Sequence, residues 1–223
     1  MNPTHKNGFE KSLWSLYRNL PAMPLFDRLF AWARMKVLPL EKIDQIVPKK
    51  GTIVEIGCGH GLIANYLALS SPERRMIGVD IDDRRISMAR GTVRGRSNIR
   101  FDNNMFLSNF YHDLDNVILF GVLLLIPYSE WKGLFGHIHA ALKPSGEVLL
   151  HDVFDDGSLT FRLHRAKEGL LKKTGITKGE GFFVKKTAEL KAFVKDAGFT
   201  VTSLGKELDV PFHSCFSWIL KKN

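Results

Sequence analysis

The stretch from Gly51 to Ala68, GTIVEIGCGHGLIANYLA, holds the pattern that decides the fold. A run of β-favouring residues leads through Glu55 and Ile56 into glycines at 57, 59 and 61. An apolar helix pattern then begins at once with Leu62. Removing three side chains between a strand and a helix lets backbone come close to something, with the N–H groups of a helix start beside it. In an open α/β sheet, that turn is where a nucleotide-like ligand sits.

The same rhythm continues on both sides. Residues 52–57 (TIVEIG), 75–81 (RMIGVDI), 98–102 (NIRFD), 116–123 (NVILFGVL) and 147–153 (EVLLHDV) read as strands. Residues 62–70, 84–93 and 128–142 read as helices, the last with Ser129 as its N-cap. The fourth strand is nearly all apolar, as a strand covered on both faces must be. KPSG, residues 143–146, reads as a turn. A helix over 185–199, closed by Gly198, precedes two strands at 200–208 and 214–222 that pair in hairpin fashion. Strand–helix alternation of this kind predicts βαβ units and a parallel sheet with helices on both faces. Residues 1–48 form an aromatic-rich helical lid or cap. Residues 49–223 form the main domain, with a basic helical insert at about 155–184.

The glycine spacing separates two ligand classes. A dinucleotide fingerprint, G-x-G-x-x-G counted from Gly57, needs glycine at 62, and that position is Leu62. The chain instead shows E-x-G-x-G-x-G, with Glu55 in front. This resembles motif I of the class I S-adenosylmethionine-dependent methyltransferases. Asp80, 23 residues after Gly57, ends the second strand in GVDID, where a carboxylate accepts from ribose hydroxyls. ALKPSGEVLLHD resembles the family's LKPGG turn and fifth strand, with Ser145 in place of the first glycine. Asp115 and the late AELKAFVKDAGFTV also have counterparts. The resemblance covers residues 50–153 and the last helix and strand. It implies a Rossmann-like, seven-stranded, mostly parallel sheet with helices on both faces and a C-terminal antiparallel strand.

The resemblance also implies a cofactor, S-adenosyl-L-methionine, and roles for residues at matching positions. Gly57, Cys58, Gly59 and Gly61 line its methionine part, and Glu55 orients the amino group. Asp80 binds the ribose and Ile81 touches the adenine edge. Phe120 and Gly121 lie near the sulfonium, although core packing explains Phe120 as well. The family's adenine-binding aspartate after the third strand is replaced in FDNNMFLSN by asparagine, and Asn104 is the candidate acceptor. His60 points away while its backbone serves the cofactor. A closer resemblance links AWARMKVLPLEKIDQIVPKKGTIVEIGCGHG and PFHSCFSWILKK to methyltransferases that accompany aryl-polyene and related lipid pathways. It implies a small apolar acyl, aryl or lipid-like acceptor, free, carrier-bound or in lipid.

Leu123–Leu125 after the fourth strand suit an apolar acceptor site, and no NPPY or DPPY motif favours an exocyclic amine. His151, at the end of the fifth strand, is the first candidate for a general base, ahead of its neighbour Asp152 and of His164 and His213. No cysteine–histidine spacing suits a metal, and Cys58 and Cys215 make no disulfide framework. That cysteine usage fits a reducing cytoplasm. The longest apolar run, Val117–Pro127, is too short to span a bilayer, and the first 21 residues lack a secretory apolar region. A cytoplasmic enzyme is expected, with peripheral contact to the inner membrane face as an option.

The net charge of +9 suits nucleic acid, an acidic carrier or an anionic membrane, and equally a mixed solvated surface. Action on RNA or protein and non-catalytic cofactor binding remain the alternatives. No added binding module fits in 223 residues, which disfavours nucleic acid. The segment SLWSLYRNLPAMPLFDRLFAWARMKVLPLEKI admits three readings: a lid, a membrane-interface helix, or helices that cover the sheet.

Overall fold

A computed structural model describes residues 3–21, 23–103, 111–153, 183, 186–205, 208 and 215–223, with side chains from Gly8 onward. Asn104, His164, His213 and nearly all of the 155–184 insert lie outside the described residues. Three helices come first: α1 (Pro3–Arg18), α2 (Leu25–Val37) and α3 (Leu40–Ile46). Then follow β1 (Gly51–Ile56), α4 (Leu62–Ser70), β2 (Arg74–Val79), α5 (Asp83–Gly91) and β3 (Ile99–Asp102). The rest is β4 (Leu114–Phe120), α6 (Tyr128–Ala141), β5 (Leu142–Val153), α7 (Thr187–Asp196), β6 (Phe199–Ser203) and β7 (Cys215–Lys222). The strands form one seven-stranded sheet in the order β3-β2-β1-β4-β5-β7-β6. The chain divides into two compact units, Met1–Met105 and Phe106–Asn223.

In the first unit β1, β2 and β3 run parallel, with Ile56 opposite Val79 and Val79 opposite Asp102. Four consecutive residues at the end of β1, Ile53–Ile56, are buried, as parallel strands require. Helix α4 is buried from Leu62 to Ala68, so it is apolar almost all round. The N-terminal helices belong to this same unit, and α1 and α3 both pack on α4.

The outer end of the unit is held by Arg74, which is 0% exposed. Its guanidinium pairs with the Asp44 carboxylate. It also donates to the carbonyls of Pro48 at 2.6 Å and Val47 at 2.8 Å, and to Ser70 Oγ at 2.7 Å. A buried cation survives only when its donors are matched in this way. Burial pushes the Asp44 carboxyl up, but hydrogen bonds from Lys49, Ser70 and Arg74 outweigh it and hold the pKa low.

In the second unit β4 and β5 are parallel, while β7 runs antiparallel to both its neighbours, β5 and β6. This is the expected C-terminal antiparallel strand. Two local expectations differ. KPSG is a bulge inside β5, not a turn before it: Leu114 faces Leu142, and Asn116 faces Glu147. Gly146 is required there, because a Cβ would lie 2.8 Å from the Leu114 carbonyl oxygen. Helix α6 begins at Tyr128 behind Pro127, which holds the cap position with a φ of −55°, so Ser129 falls inside the first turn and is not the N-cap.

Arg74→Ala leaves Asp44 as a buried unpaired charge. The expected loss is about 3–5 kcal/mol of stability in denaturant unfolding, with a smaller loss when Asp44→Asn is combined with it.

Candidate active site

The loop after β1 is built in left-handed backbone. Gly57, Gly59 and Gly61 have φ of 73°, 54° and 76°, a region that other residues enter at a cost. The N–H groups of Gly57 and Cys58 both donate to the Val79 carbonyl, at 2.8 and 3.0 Å, which pins the loop to the end of β2. Asp80 continues the clamp. One carboxylate oxygen accepts from the Gly59 N–H at 2.7 Å and the other from the Asp82 N–H at 2.9 Å. Asp80 is 7% exposed, and a carboxylate has further lone pairs for incoming hydroxyl groups. Its neighbour Ile81 is 64% exposed, an apolar side chain standing in solvent directly after the clamp.

Glu55 reaches from β1 to the start of α4, where its Oε2 accepts from the Ala64 N–H at 2.9 Å. It therefore caps a helix whose own N-cap, Gly61, has no side chain to do so. Burial pushes the Glu55 carboxyl up to about 8, against the opposing pull of the Ala64 N–H and Arg34. Cys58 is buried beside it. Burial, followed by the negative charge of Glu55 and Asp80, pushes its thiol well above the usual range and leaves it unreactive.

The three glycines serve different ends. A Cβ on Gly61 would lie 2.4 Å from the Phe101 ring, and one on Gly78 would lie 2.6 Å from the same ring. These two positions are empty for a side chain of β3. A Cβ on Gly59 would meet nothing closer than 4.0 Å, so space remains open there. That open edge, the buried carboxylates and the exposed Ile81 fit a ligand with ribose hydroxyls, an adenine and an ammonium.

His60 turns away from the open edge. Its Nε2 lies 3.2 Å from Asp27 Oδ1 of α2, and Arg84 donates to both Asp27 oxygens, at 2.8 and 3.0 Å. Burial, then Arg85, lowers the His60 pKa despite Asp27, which favours the neutral ring. The His60 carbonyl accepts from Tyr17 Oη at 2.9 Å. Tyr17 in turn accepts from Asn65 Nδ2 at 2.9 Å, and Asn65 also reaches Thr92 Oγ1 at 2.8 Å and pairs with Arg96. Sequence reasoning missed this network. Its trace was a lone asparagine on the otherwise apolar α4 and an aspartate in the first turn of α2.

The second unit carries the other candidates. Phe120 stacks on the His151 ring, with centroids 4.1 Å apart and planes 16° from parallel. His151 is 2% exposed, and its Nδ1 lies 2.8 Å from Ser217 Oγ. Gly121 has φ of 66°, its N–H donates to the His151 carbonyl at 2.8 Å, and a Cβ there would meet nothing within 4 Å. Asp152, a base candidate beside His151, accepts from the N–H groups of Leu123 at 2.7 Å and Leu124 at 3.2 Å. It thereby holds the short 3-10 turn Leu123–Leu125. Burial pushes its carboxyl up to about 7. Leu123 and Leu124 are themselves 2% and 8% exposed, so both pack inside. Among the described residues, no cluster of three or more His, Cys, Asp or Glu could hold a metal.

Comparison with known proteins agrees with this geometry. A family described as methyltransferase domain matches residues 31–204, and the chain belongs to it. Among curated proteins none matches. The pyocyanin biosynthetic protein PhzM shares the fold at 15% identity and TM-score 0.70, over 95% of this chain and 62% of its own. An O-methyltransferase family 2 protein from Planctomyces limnophilus, solved with apigenin, shares it at 17% identity and TM-score 0.66, over 91% and 63%. Magnesium protoporphyrin IX methyltransferase from Synechocystis, solved with bound S-adenosylhomocysteine, shares it at 16% and TM-score 0.63, over 87% and 94%. The chain thus spans less than two thirds of the first two relatives.

Two outcomes are expected. Gly61→Ala should destabilise by about 2–4 kcal/mol, from ring overlap plus left-handed strain, against about 1–2 for Gly59→Ala. Phe101→Leu in the same chain should recover part of the first loss in thermal unfolding. The second outcome concerns pH. Glu55 and Asp152 have folded pKa values raised from 4.5 to about 8 and from 3.8 to about 7. Groups raised in this way contribute stability that is complete below the unfolded value and lost as pH rises through the folded one. The ligand-free protein should therefore weaken from acid toward pH 8, and Glu55→Gln and Asp152→Asn should each flatten part of that slope.

Proposed function

We propose that the protein transfers a methyl group from S-adenosyl-L-methionine to a small, largely apolar acceptor. The observation that carries this reading is the Asp80 clamp across a left-handed glycine loop, with Ile81 exposed beside it. The family membership and the ligand of the Synechocystis relative support the choice of cofactor.

The bound cofactor supplies a methyl carbon activated by a sulfonium leaving group. This chain's residues bind and orient. Asp80 accepts from ribose hydroxyls with the lone pairs left beyond its two N–H donors. Ile81 covers one adenine edge, and Glu55 faces the amino group. An ammonium beside Glu55 favours the ionised carboxylate and offsets the burial that raises its pKa. Gly57, Cys58, Gly59 and Gly61 shape the methionine side. Phe120 and Gly121, at the end of β4, serve the sulfonium end, and Asn104 serves the adenine amino group. Methyl transfer then needs alignment and exclusion of water.

His151 is the base candidate for acceptors that must lose a proton. Its stacking on Phe120 and its bond to Ser217 fix the ring plane, which is what a positioned base requires. The apigenin and pyocyanin contexts of the relatives support an aryl or acyl acceptor. An acceptor joined to a carrier protein, and an aryl-polyene setting, are the finer form of the same reading. A cytoplasmic location accompanies it. No described helix is long and apolar enough to cross a membrane.

Calorimetry should show binding of S-adenosylhomocysteine and none of NADH. Asp80→Ala should weaken that binding by about 1.5–3 kcal/mol, the scale of lost hydrogen bonds to a charged group. The reverse preference would remove the reading. With tritiated cofactor and fractionated lysate, label is expected in organic-soluble or carrier-bound material. Label confined to a nuclease-sensitive fraction would establish the RNA alternative, and an unchanged rate in His151→Gln would remove the base.

A further inference from the structure

We propose that the outer face of α2 docks on an anionic lipid surface. The helix has two opposed faces. Asp27, Ala31 and Met35 are buried against the rest of the unit. On the other side Leu25 is 69% exposed, Phe26 and Leu29 are each 56%, and Trp32 and Val37 are each 46%. At 100° or so per residue, these five side chains share an arc of about 140°. Isolated exposed apolar residues are ordinary, but a contiguous stripe that includes a tryptophan and a phenylalanine marks an interaction surface.

Charge selects the partner. Every exposed charged side chain between residues 8 and 50 is a cation, Lys11, Arg18, Lys42 and Lys50 among them. The four acids in that range are withdrawn. Asp27 and Asp44 are buried, and Glu10 and Glu41 are half-buried. Three of them are committed to cations of this chain: Asp27 to Arg84, Asp44 to Arg74, and Glu10 to Lys36 at 2.8 Å. The three-helix segment therefore shows solvent an apolar stripe and positive charge, the combination an interfacial helix uses. A second copy of the chain would bring like charges together across the contact. A nucleic acid would match the cations but leave the leucine stripe in water.

Docking has a consequence for the proposed acceptor. Asp27, on the inner side of α2, is bonded to His60 of the glycine loop and to Arg84 of α5. A lipid surface against the outer side would then lie about one helix diameter, roughly 10 Å, from the loop. That proximity would favour an acceptor that partitions into the bilayer. This consequence rests on the reading of the acceptor as apolar, whereas the docking surface does not.

The test is co-sedimentation of the full chain with vesicles of phosphatidylcholine, with and without phosphatidylserine, at physiological salt. Pelleting is expected with the anionic vesicles, and Leu25→Glu with Leu29→Glu should reduce partitioning by about tenfold or more. Circular dichroism and S-adenosylhomocysteine affinity should stay unchanged in that variant, so a folding defect or a lost cofactor site is read separately. Trp32 provides a second measurement: brominated lipids should quench fluorescence of the native chain more than that of Trp32→Phe. No pelleting, or equal pelleting of native and double-glutamate chains, would overturn the proposal. So would self-association that the same variant abolishes, which assigns the face to a second copy, or capture by an acidic carrier protein with no vesicle binding.

Discussion

The Asp80 carboxylate is the constraint on which the glycine loop of the first unit depends. It ends β2, yet its two oxygens reach back to the loop after β1 and forward to the start of α5. A single side chain thus sets the spacing of three backbone segments. Such a group is unfavourable in a buried position unless N–H donors replace water, and here the donors are main-chain and nearly immobile. Glu55 repeats the arrangement one strand away by taking the Ala64 N–H. Two acidic groups, each matched to the backbone it organises, keep a run of left-handed glycines in one conformation. Asp152 does the same in the second unit for the turn after β4.

The fold was legible because its signals are local and periodic. Apolar runs, glycines at alternate positions and an aspartate at a strand end mark the strands, the helices and the loop between β1 and α4 without long-range information. The position of KPSG shows the limit. Pro144 and Gly146 announce an interruption, but whether the chain turns before the strand or bulges within it depends on the strand opposite, Leu114 to Asn116. Ser129 failed as a cap for a related reason: Pro127, two residues earlier, already holds the cap position and the helix starts at Tyr128.

The polar groups around the loop were legible only in part. Glu55 and Asp80 sit in a recognisable spacing. Asp27 and Tyr17 come from helices more than 30 residues upstream of the loop, and no periodicity links them to it. Asp27 could be read as an ordinary first-turn acid of α2, favourable to the helix dipole. Its partners His60 and Arg84 appear only once the chain is folded. Tyr17 donates to the His60 carbonyl and meets Asn65 inside α4, so α1 is hydrogen-bonded to the glycine loop.

Phe101 has a bearing on how this sequence can change over time. Its ring occupies the volume that side chains at both position 61 and position 78 would need. The three sites are far apart in the chain but form one interlocked set. A larger residue at either glycine is tolerated only after the ring has shrunk, while a smaller residue at 101 opens a void beneath the loop. Each single step passes through a weaker protein, so the trio should drift together or stay fixed. Part of what resembles a ligand-imposed glycine motif is therefore heritage of a neighbouring strand's aromatic residue, and without that ring only the left-handed backbone would still hold the third glycine.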